Sequence, residues 1–303
     1  MNKKISIALV ILLVLSMLLV GCRGNGDEPT GGEGDENNSA QVEQGGGEED
    51  GDSDQDKKEP FRVGLEADYA PFNWTQMDDS NGAVKIDASS EYAGGYDVEI
   101  AKKVAEGLGK ELVVVKIDWD GLVPALQANK IDAIMAGMSP TEDRKETIDF
   151  SDNYYKSDLV MVVKKGSKYE NATSIQDFSG AKITAQLNTF HYTVIDQIKG
   201  VKKEVPMDTF PVMRVAVESG ILDGYVSERP EAVSAVSANK NFAFVEFTDG
   251  FETSDDDTAI AVGIRKGDDE LRNKINEVLA GFTEDDFLSI MDTATKNQPA
   301  EQD

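Results

Sequence analysis

Short runs of apolar and β-branched residues alternate with helical segments from residue 61 onward, and this alternation constrains the fold most. The segment "FRVGLEA" is predicted to be a strand, "GYDVEIAKKVAEGLGK" a helix and "ELVVVKI" the next strand. The order repeats through "GLVPALQANK", "IDAIMAG" and "DLVMVVKKGS" as far as "DDELRNKINEVLAGFTED". Strands that alternate with helices predict an α/β architecture with a mostly parallel sheet.

The first predicted helix has an apolar stripe and recognisable ends. Val98, Ala101 and Val104 fall on one face of the segment. Asp97 is predicted to be the N-cap and Gly109 the C-cap. In contrast, the segment "DDSNGAVKIDASSEYAG" is loop-like and indicates no chemistry.

Length and charge limit the possible functions. The 303 residues suffice for two domains, and a hydrophobic content of 40% supports a sizeable core. A formal net charge of −27 disfavours nucleic acid as a partner, because phosphates need a basic surface. A small anion with its own local pocket is still compatible with this charge. One His and one Cys indicate no metal site, and no cofactor is predicted.

The first 22 residues have the pattern of a secretion signal. Lys3 and Lys4 precede an apolar run over residues 5–20, which ends in "LVGC". The run is shorter than the roughly 20 residues of a membrane span, so a membrane anchor helix is the weaker alternative. "LVGC" resembles a bacterial lipobox, which implies that Cys22 is lipid-modified. We therefore expect an extracytoplasmic lipoprotein, anchored to the cell membrane by acyl chains.

Residues 23–59 form an acidic, glycine-rich segment with hardly any apolar side chains. Such a segment cannot bury enough surface to order itself. It is therefore predicted to be a disordered, self-repelling tether. Its carboxylates lack the fixed spacing of a calcium loop, which makes calcium binding the weaker alternative.

The stretch "AGMSPTEDRKETIDFS" carries the signals of a helix start. Ser139 is predicted to be the N-cap, Pro140 the first helical residue and Glu142 the partner in a capping box. Arg144 then adds a guanidinium to a helix end that already carries partial positive charge. This combination favours an incoming anion.

Four blocks of sequence together resemble one family. They are "VGLEADYAPF", "GYDVEIAKKVAEGLG", "WDGLVPALQANKIDAIMAGMSPTEDRKETIDFSDNYY" and "VMVVKKGS". In this order they are similar to the polar-amino-acid extracellular solute-binding proteins of ABC transporters, bacterial solute-binding protein family 3. The resemblance covers residues 61–298.

The resemblance implies a two-lobed, periplasmic-binding-protein-like (type II) fold with two hinge-strand crossovers. The first lobe would comprise residues 61–156 and 258–297, and the second lobe residues 157–257. The crossings would lie near Ser157 and Asp257. The ligand would then bind in the cleft, at the carboxyl ends of strands, where open α/β sheets generally bind ligands.

The family's carboxylate clamp maps onto several residues of this chain. Arg144 resembles the arginine that grips the α-carboxylate of a bound amino acid, since a guanidinium matches a carboxylate bidentately. A surface ion pair is the alternative for Arg144. Ser139 stands at the family's hydroxyl position, with plain helix capping as its alternative. Gly137 and Met138 would offer backbone groups.

The second lobe would supply further donors from "QLNTFHY". Thr189 fits the family's loop best, and Phe190 would contribute its backbone. Asn188 replaces the usual Gly, and because Asn tolerates a left-handed backbone the turn can survive. His191 is the only His of the chain and is interpreted as a structural or surface residue.

The other end of an amino acid needs acidic and aromatic partners. Glu228 falls where the family carries an acid for the α-ammonium, with a pair to the adjacent Arg229 as the alternative. Tyr69 and Trp119 match two aromatic positions that sandwich the ligand side chain, and core packing is their alternative. Glu66 matches an acidic position at the far end of that side chain. Two rings and an acid favour Arg or Lys, with Gln next.

These residues predict a binding protein without catalysis. It would be a monomer that binds a polar amino acid and delivers it to an ABC transporter permease. The alternative is an enzyme similar to cyclohexadienyl or arogenate dehydratases, in which Glu228 would serve as general acid. A receptor sensor domain is a third alternative, which the polar terminus "KNQPAEQD" disfavours.

Overall fold

The computed structural model describes residues 58–299. The predicted signal peptide, the lipidation site Cys22 and nearly all of the predicted tether lie outside these residues. No helix within residues 58–299 is both long enough and apolar enough to cross a membrane.

Fourteen strands lie within the described residues. They are β1 (Pro60–Leu65), β2 (Asp68–Tyr69), β3 (Asn73–Gln76), β4 (Val84–Lys85), β5 (Tyr92–Gly94), β6 (Glu111–Lys116), β7 (Ala133–Ile134), β8 (Ile148–Lys156), β9 (Leu159–Lys164), β10 (Lys182–Thr184), β11 (Lys202–Lys203), β12 (Gly224–Glu228), β13 (Phe242–Val245) and β14 (Ala259–Arg265).

The same part of the chain contains nine α-helices. They are α1 (Tyr96–Gly107), α2 (Leu122–Gln127), α3 (Glu142–Lys145), α4 (Phe190–Val194), α5 (Phe210–Glu218), α6 (Arg229–Ala238), α7 (Asp255–Thr258), α8 (Asp269–Leu279) and α9 (Glu284–Asn297).

The strands form two five-stranded sheets and a smaller antiparallel sheet. The first sheet has the order β6-β1-β7-β14-β8 and the second β11-β10-β12-β9-β13. Each combines parallel pairs, such as β1 with β6, and antiparallel pairs, such as β14 with β8. The prediction of a mostly parallel sheet is therefore wrong, although the α/β class is confirmed. The reason is that the chain leaves the first sheet along β8 and returns to it along β14, in the opposite direction.

The two large sheets are joined by two links of the chain. Residues 157–158 connect β8 to β9, and residues 246–258 connect β13 to β14. The links touch where the N–H of Ser157 donates to the carbonyl oxygen of Thr258 at 2.9 Å. The limits of the two lobes, residues 61–156 with 258–297 and residues 157–257, stay predictions.

Helix α1 shows how a local pattern determines an element. Its apolar stripe is buried, including Val98, Ala101 and Val104. Helix α1 ends at Gly107 with Leu108 as its C-cap, so the C-cap predicted at Gly109 is one residue too late. Gly109 follows with a φ of +68°, a left-handed conformation that Gly adopts without strain. The predicted N-cap is wrong, because α1 begins after Gly95 and Asp97 lies buried inside its first turn.

The helix start predicted at Ser139 is also wrong. Helix α3 is a single turn that begins at Glu142, after Thr141 as N-cap. Ser139 is buried before it and does not cap it. A helix this short has little dipole, so the Arg144 side chain itself, rather than the helix end, is the group suited to an anion.

The segment predicted as a loop contains two short strands. β4 and β5 lie in residues 78–94 and complete the small sheet, whose order is β2-β3-β5-β4. Strands of two or three residues are too short to show periodicity in the sequence. Tyr69 lies in β2, at one edge of this small sheet.

Candidate functional site

Arg144 lies between segments that belong to different sheets. Its Nη1 donates to the carbonyl oxygen of Ser139 at 2.8 Å, and its Nη2 lies 3.4 Å from the carbonyl oxygen of Asn188. Its guanidinium carbon lies 5.0 Å from the ring centroid of Trp119, a cation–π contact. A guanidinium has five N–H donors, so these contacts leave donors for a carboxylate.

The loop before α4 has the backbone that the sequence suggests. Asn188 has a φ of +54°, in the left-handed region that Asn tolerates. Its side chain donates to Asp120 at 2.9 Å, across to the first sheet's side. The Thr189 hydroxyl donates to the carbonyl oxygen of Gln186 at 2.7 Å. Arg144, Thr189 and Phe190 then line one cavity of about 740 Å³.

The buried carboxylate of Asp97 stabilises the turn over residues 137–139. The Gly137 N–H donates to the Asp97 carboxylate, which also accepts from Asn73 at 2.8 Å and from the Tyr154 hydroxyl at 2.7 Å. Burial raises the pKa of Asp97 to about 7 against the effect of these hydrogen bonds. The Met138 carbonyl accepts from the N–H of Ala261 at 3.1 Å. Direct ligand contacts by this turn stay a prediction.

Glu228 ends β12 in a fully enclosed position. Its side chain is 1% exposed. Neither carboxylate oxygen has a hydrogen-bond partner among the residues that the structure describes. The alternative pair with Arg229 is not formed, since Arg229 binds Glu246 at 2.9 Å on the surface. A buried carboxylate without a hydrogen-bond partner is costly, so this position favours a cation.

Two further groups surround Glu228. His191 Nε2 lies 3.4 Å from Glu228 Oε1. Neither ring nitrogen of His191 nor the hydroxyl of Tyr69 has a hydrogen-bond partner within the described part of the chain. Burial raises the pKa of Tyr69 well above its ordinary value, and the Glu228 carboxylate adds to this effect. His191 is thus neither a surface residue nor a satisfied core residue.

Tyr69 packs differently from the predicted sandwich. Its ring stacks on Phe210 at a centroid distance of 4.4 Å and an interplanar angle of 5°. Phe72 lies 4.8 Å away, tilted by 35°. Trp119 instead faces Arg144. The pairing of Tyr69 and Trp119 around a ligand side chain stays a prediction.

An acidic cavity of about 420 Å³ lies next to the Arg144 cavity. It is lined by Glu66, Asp68, Asp118, Trp119, Asp120, Leu187, Asp208 and Thr209. Five acidic side chains and no basic side chain appear in this lining, so its field favours a cation. Leu187 lines both cavities and marks where they adjoin.

Glu66 is held by a residue of the second sheet's side. Gln186 Nε2 donates to its carboxylate oxygens at 3.0 and 3.3 Å. Burial raises the pKa of Glu66 to about 8, and the Gln186 hydrogen bond counteracts this only in part. A cationic ligand group would favour the charged form of Glu66.

Seven of the ten predicted ligand-binding residues fall into three groups, and the other three form the turn over residues 137–139. Arg144 lies with Thr189 and Phe190, and Glu66 lies with Trp119. Glu228 and Tyr69 are buried and line neither cavity. Burial lowers the pKa of Arg144 to about 10, and the nearby Glu228 carboxylate is the largest influence in the opposite direction. Arg144 and Glu228 are therefore close enough to interact.

Sequence reasoning missed His191, Gln186, Phe210 and the role of Asp97. His191 and Gln186 lie in the stretch "QLNTFHY" beside Thr189, and this proximity is a signal in the sequence that points to them. Nothing local indicates the contacts of Phe210 or Asp97. Among residues 58–299, no group of three or more His, Cys, Asp or Glu side chains could hold a metal ion.

Comparison with known proteins identifies the family of this chain. The family model of bacterial extracellular solute-binding proteins, family 3, matches residues 61–293. The arginine-binding extracellular protein ArtP of Bacillus subtilis (strain 168) is 29% identical over 227 residues, which cover 73% of this chain and 80% of that protein. A probable histidine-binding protein of Campylobacter jejuni is 30% identical over 196 residues, covering 63% of this chain and 69% of its own length.

A solved structure shows the same fold. It is the amino acid ABC transporter substrate-binding protein AbpA from Streptococcus pneumoniae, bound to L-arginine. The TM-score is 0.67 at 26% identity, and the match covers 78% of this chain and 94% of that one. The two-lobed fold expected from the sequence is thereby confirmed. The family model spans most of the chain, and the protein belongs to the bacterial extracellular solute-binding proteins, family 3.

Proposed function

We propose that this protein is the extracytoplasmic binding component of an amino acid ABC importer and that it binds a cationic amino acid. L-Arginine and L-lysine are favoured, and L-glutamine comes next. The observation that carries the proposal is the acidic cavity beside Arg144, whose lining has five acidic side chains and no base. A cationic side chain would be stabilised there by the local field.

The proposed binding mode uses both ends of a zwitterion. The free N–H groups of Arg144 would grip the α-carboxylate, with the loop at Thr189 alongside. Glu228, buried and without a hydrogen-bond partner among the described residues, would receive the α-ammonium. The side chain would extend into the acidic cavity toward Glu66, near the ring of Trp119.

The names of relatives support an amino acid ligand and leave its identity open. ArtP of Bacillus subtilis is named for arginine, and the Campylobacter jejuni relative for histidine. An Escherichia coli relative, 27% identical over 230 residues, is named as an L-cystine-binding protein. The lack of basic side chains in the acidic cavity is what favours arginine or lysine for this chain.

Delivery would follow from closure of the lobes. An amino acid that contacts both lobes binds the closed arrangement better and shifts the protein toward it. The closed protein, a monomer, would then dock on a membrane permease. Acyl chains on Cys22 would hold it at the membrane, and residues 23–59 would give it reach.

A dehydratase-like activity is the alternative, because buried Glu228 could serve as an acid. The relatives named above are binding proteins, which favours binding without turnover. Incubation with prephenate and arogenate separates the two functions. Product formation that is lost in Glu228→Gln would overturn the proposal of a binding protein.

Thermal unfolding with each of the twenty amino acids tests the ligand assignment. The purified full-length protein is first unfolded and refolded to remove any ligand acquired during expression. A ligand at 100 times its Kd should stabilise the folded state by about 2.7 kcal/mol. We expect L-arginine and L-lysine to give the largest shifts. Absence of a shift with every amino acid, or a preference for acidic amino acids, would contradict the proposal.

A further inference from the structure

Three buried polar side chains meet at one point and leave their polar atoms without well-formed hydrogen bonds. His191, Glu228 and Tyr69 are 5%, 1% and 3% exposed. Both nitrogens of His191, both carboxylate oxygens of Glu228 and the hydroxyl of Tyr69 make no well-formed hydrogen bond among residues 58–299, and the Tyr69 hydroxyl faces the Glu228 carboxylate and interacts with it. His191 Nε2 and Glu228 Oε1 are only 3.4 Å apart. Buried polar atoms are rarely left in this way, so the cluster requires an explanation.

One positive charge would stabilise the cluster electrostatically. An ionised carboxylate buried without a hydrogen bond is strongly destabilised unless a cation lies beside it. The imidazole of His191 is within ion-pair distance of Glu228, and imidazole is the side chain that carries a positive charge when it is protonated and none when it is not. The hydroxyl of Tyr69 can donate a hydrogen bond to Glu228 but cannot supply a positive charge.

Other charged and titratable groups also face Glu228, from the elements packed around it. The Glu228 carboxylate contributes to the pKa shift of each of these groups. They are Tyr69, Asp97, Arg144, Tyr154 and Tyr155. Arg144 is the only cation among these five. Its Nη1 and Nη2 are directed to main-chain carbonyl oxygens of Ser139 and Asn188. His191, by contrast, lies within ion-pair distance of Glu228.

We propose that His191 and Glu228 hold one exchangeable positive charge: a proton on His191 in the ligand-free protein and the α-ammonium of the amino acid in the complex. The inference rests on the proposed function, because it assigns the ammonium of the bound amino acid to Glu228.

The exchange balances in charge. In the ligand-free protein, imidazolium faces carboxylate. When R–NH₃⁺ binds to Glu228, two cations would share one carboxylate beside Arg144, so His191 releases its proton to solvent. Neutral Nε2 can then accept one of the three ammonium N–H bonds. His191 thus becomes a positioning residue for the ammonium, and binding releases up to one proton from it.

The consequence is pH-dependent capture. Where His191 is protonated in the ligand-free protein, affinity for the amino acid rises by up to about tenfold for each pH unit. Mild acidification would weaken binding. Glu66 also exchanges a proton when a cationic side chain arrives, since burial raises its pKa to about 8. A measurement of all protons released on binding would therefore add the proton of Glu66 to that of His191.

The single His of the chain allows the His191 proton to be followed alone. Full-length protein with ¹³C,¹⁵N-labelled histidine gives one set of imidazole NMR signals, whose positions report the protonated fraction. At about pH 6.5, we expect saturating L-arginine to lower that fraction in the wild type. We expect Glu228→Gln to lower it without ligand. The control Glu246→Gln, at an exposed ion pair with Arg229, should match the wild type.

The outcomes separate the inference from the proposed function. If L-arginine binds without changing the imidazole signals, or if Glu228→Gln leaves them unchanged, the inference is overturned while the proposed function stands. If no amino acid binds but Glu228→Gln still deprotonates His191, the proton pair stands. The ammonium exchange then falls together with the proposed function.

A second variant covers the case in which Glu228→Gln does not fold. His191→Gln keeps a polar side chain and removes the titration. Calorimetry between about pH 5.5 and about pH 7.5 should show a smaller rise of L-arginine affinity in this variant than in the wild type. Identical pH dependence in the two proteins would overturn the inference.

Discussion

Arg144 contacts three segments of the chain that are far apart in sequence. It bonds the Ser139 carbonyl at 2.8 Å, lies near the Asn188 carbonyl and stacks over Trp119 at 5.0 Å. These contacts fix the orientation of the guanidinium. Preorganisation of this kind reduces the ordering cost of binding.

Replacement of Arg144 by Ala should therefore abolish useful affinity for every amino acid. Loss of one partner of a buried charge pair costs about 2–5 kcal/mol, or roughly 30-fold to several thousand-fold in Kd. Calorimetric titration measures the change. The control is Arg229→Ala, which removes an exposed arginine paired with Glu246 and should alter Kd little. Equal effects of the two variants would contradict the clamp.

Glu66 makes stability depend on pH with a defined sign. Burial raises its pKa from 4.5 to about 8, so the folded protein binds more protons than the unfolded chain between these values. The free energy of unfolding must then fall as pH rises through this window. Glu66→Gln lacks the titration. The wild type should lose about 1.4 kcal/mol relative to the variant for each pH unit.

Chemical denaturation of the ligand-free proteins at several pH values checks this prediction. Asp286→Asn is a contrasting control, because hydrogen bonds from Thr283 lower the pKa of Asp286. The stabilisation by Asp286 is present at neutral pH and is lost as pH falls, the opposite direction. Parallel pH profiles for the wild type and Glu66→Gln would show that Glu66 is ionised in the fold throughout.

At the scale of elements, the turn after β7 connects the core to the site. Gly137 has a φ of +59° and donates its N–H to Asp97. A Cβ at this position would lie 2.6 Å from Cε1 of Tyr69. The turn, α1 and the ring of Tyr69 are therefore packed as one unit behind Ser139.

Gly137→Ala should disturb both stability and binding. The backbone strain alone costs about 1–2 kcal/mol, and displacement of Tyr69 adds to it. Gly166→Ala is the matched control, because Gly166 has a φ of +75° but no neighbouring atom within 4 Å of an added Cβ. We expect Gly166→Ala to show only the backbone cost, with unchanged Kd for L-arginine. Denaturation and calorimetry on both variants distinguish strain from collision.

At the scale of the whole molecule, contacts join the segments around the first large sheet to those around the second. Tyr69 stacks on Phe210, and Gln186 donates to Glu66 at 3.0 Å. One apolar cluster contains residues from both sides, including Phe72 and Tyr225. Closure of the two lobes around a ligand would therefore change the Tyr69–Phe210 and Gln186–Glu66 contacts, which the fold already contains.

Phe210→Ala should loosen this association. Loss of a buried Phe costs about 3–5 kcal/mol, and here it removes a stack between lobes. Phe242→Ala is the control, because Phe242 is 2% exposed and lies in β13 of the second sheet. Small-angle scattering should show a larger radius of gyration for Phe210→Ala alone. Equal radii and equal Kd for L-arginine in the two variants would contradict a role for the stack in lobe association.

Much of the architecture could be predicted because it depends on local patterns. The alternation of strands and helices gave the α/β class, and the stripe of Val98, Ala101 and Val104 located α1. The left-handed Asn188 was foreseen from its tolerance of that backbone. Strand direction was not predictable, because it depends on how the chain passes between sheets.

The sequence by itself determined the α/β class, the family and the residue types at the candidate site. Only the tertiary structure decided which buried polar groups meet. Glu66 and Gln186 are 120 residues apart, and His191 faces Glu228 from a different element. Asp97 looked like a helix cap and instead ties three segments together. The physical reason is that propensity and periodicity act over a few residues, whereas the charge environment of a buried group depends on which segments folding brings against it.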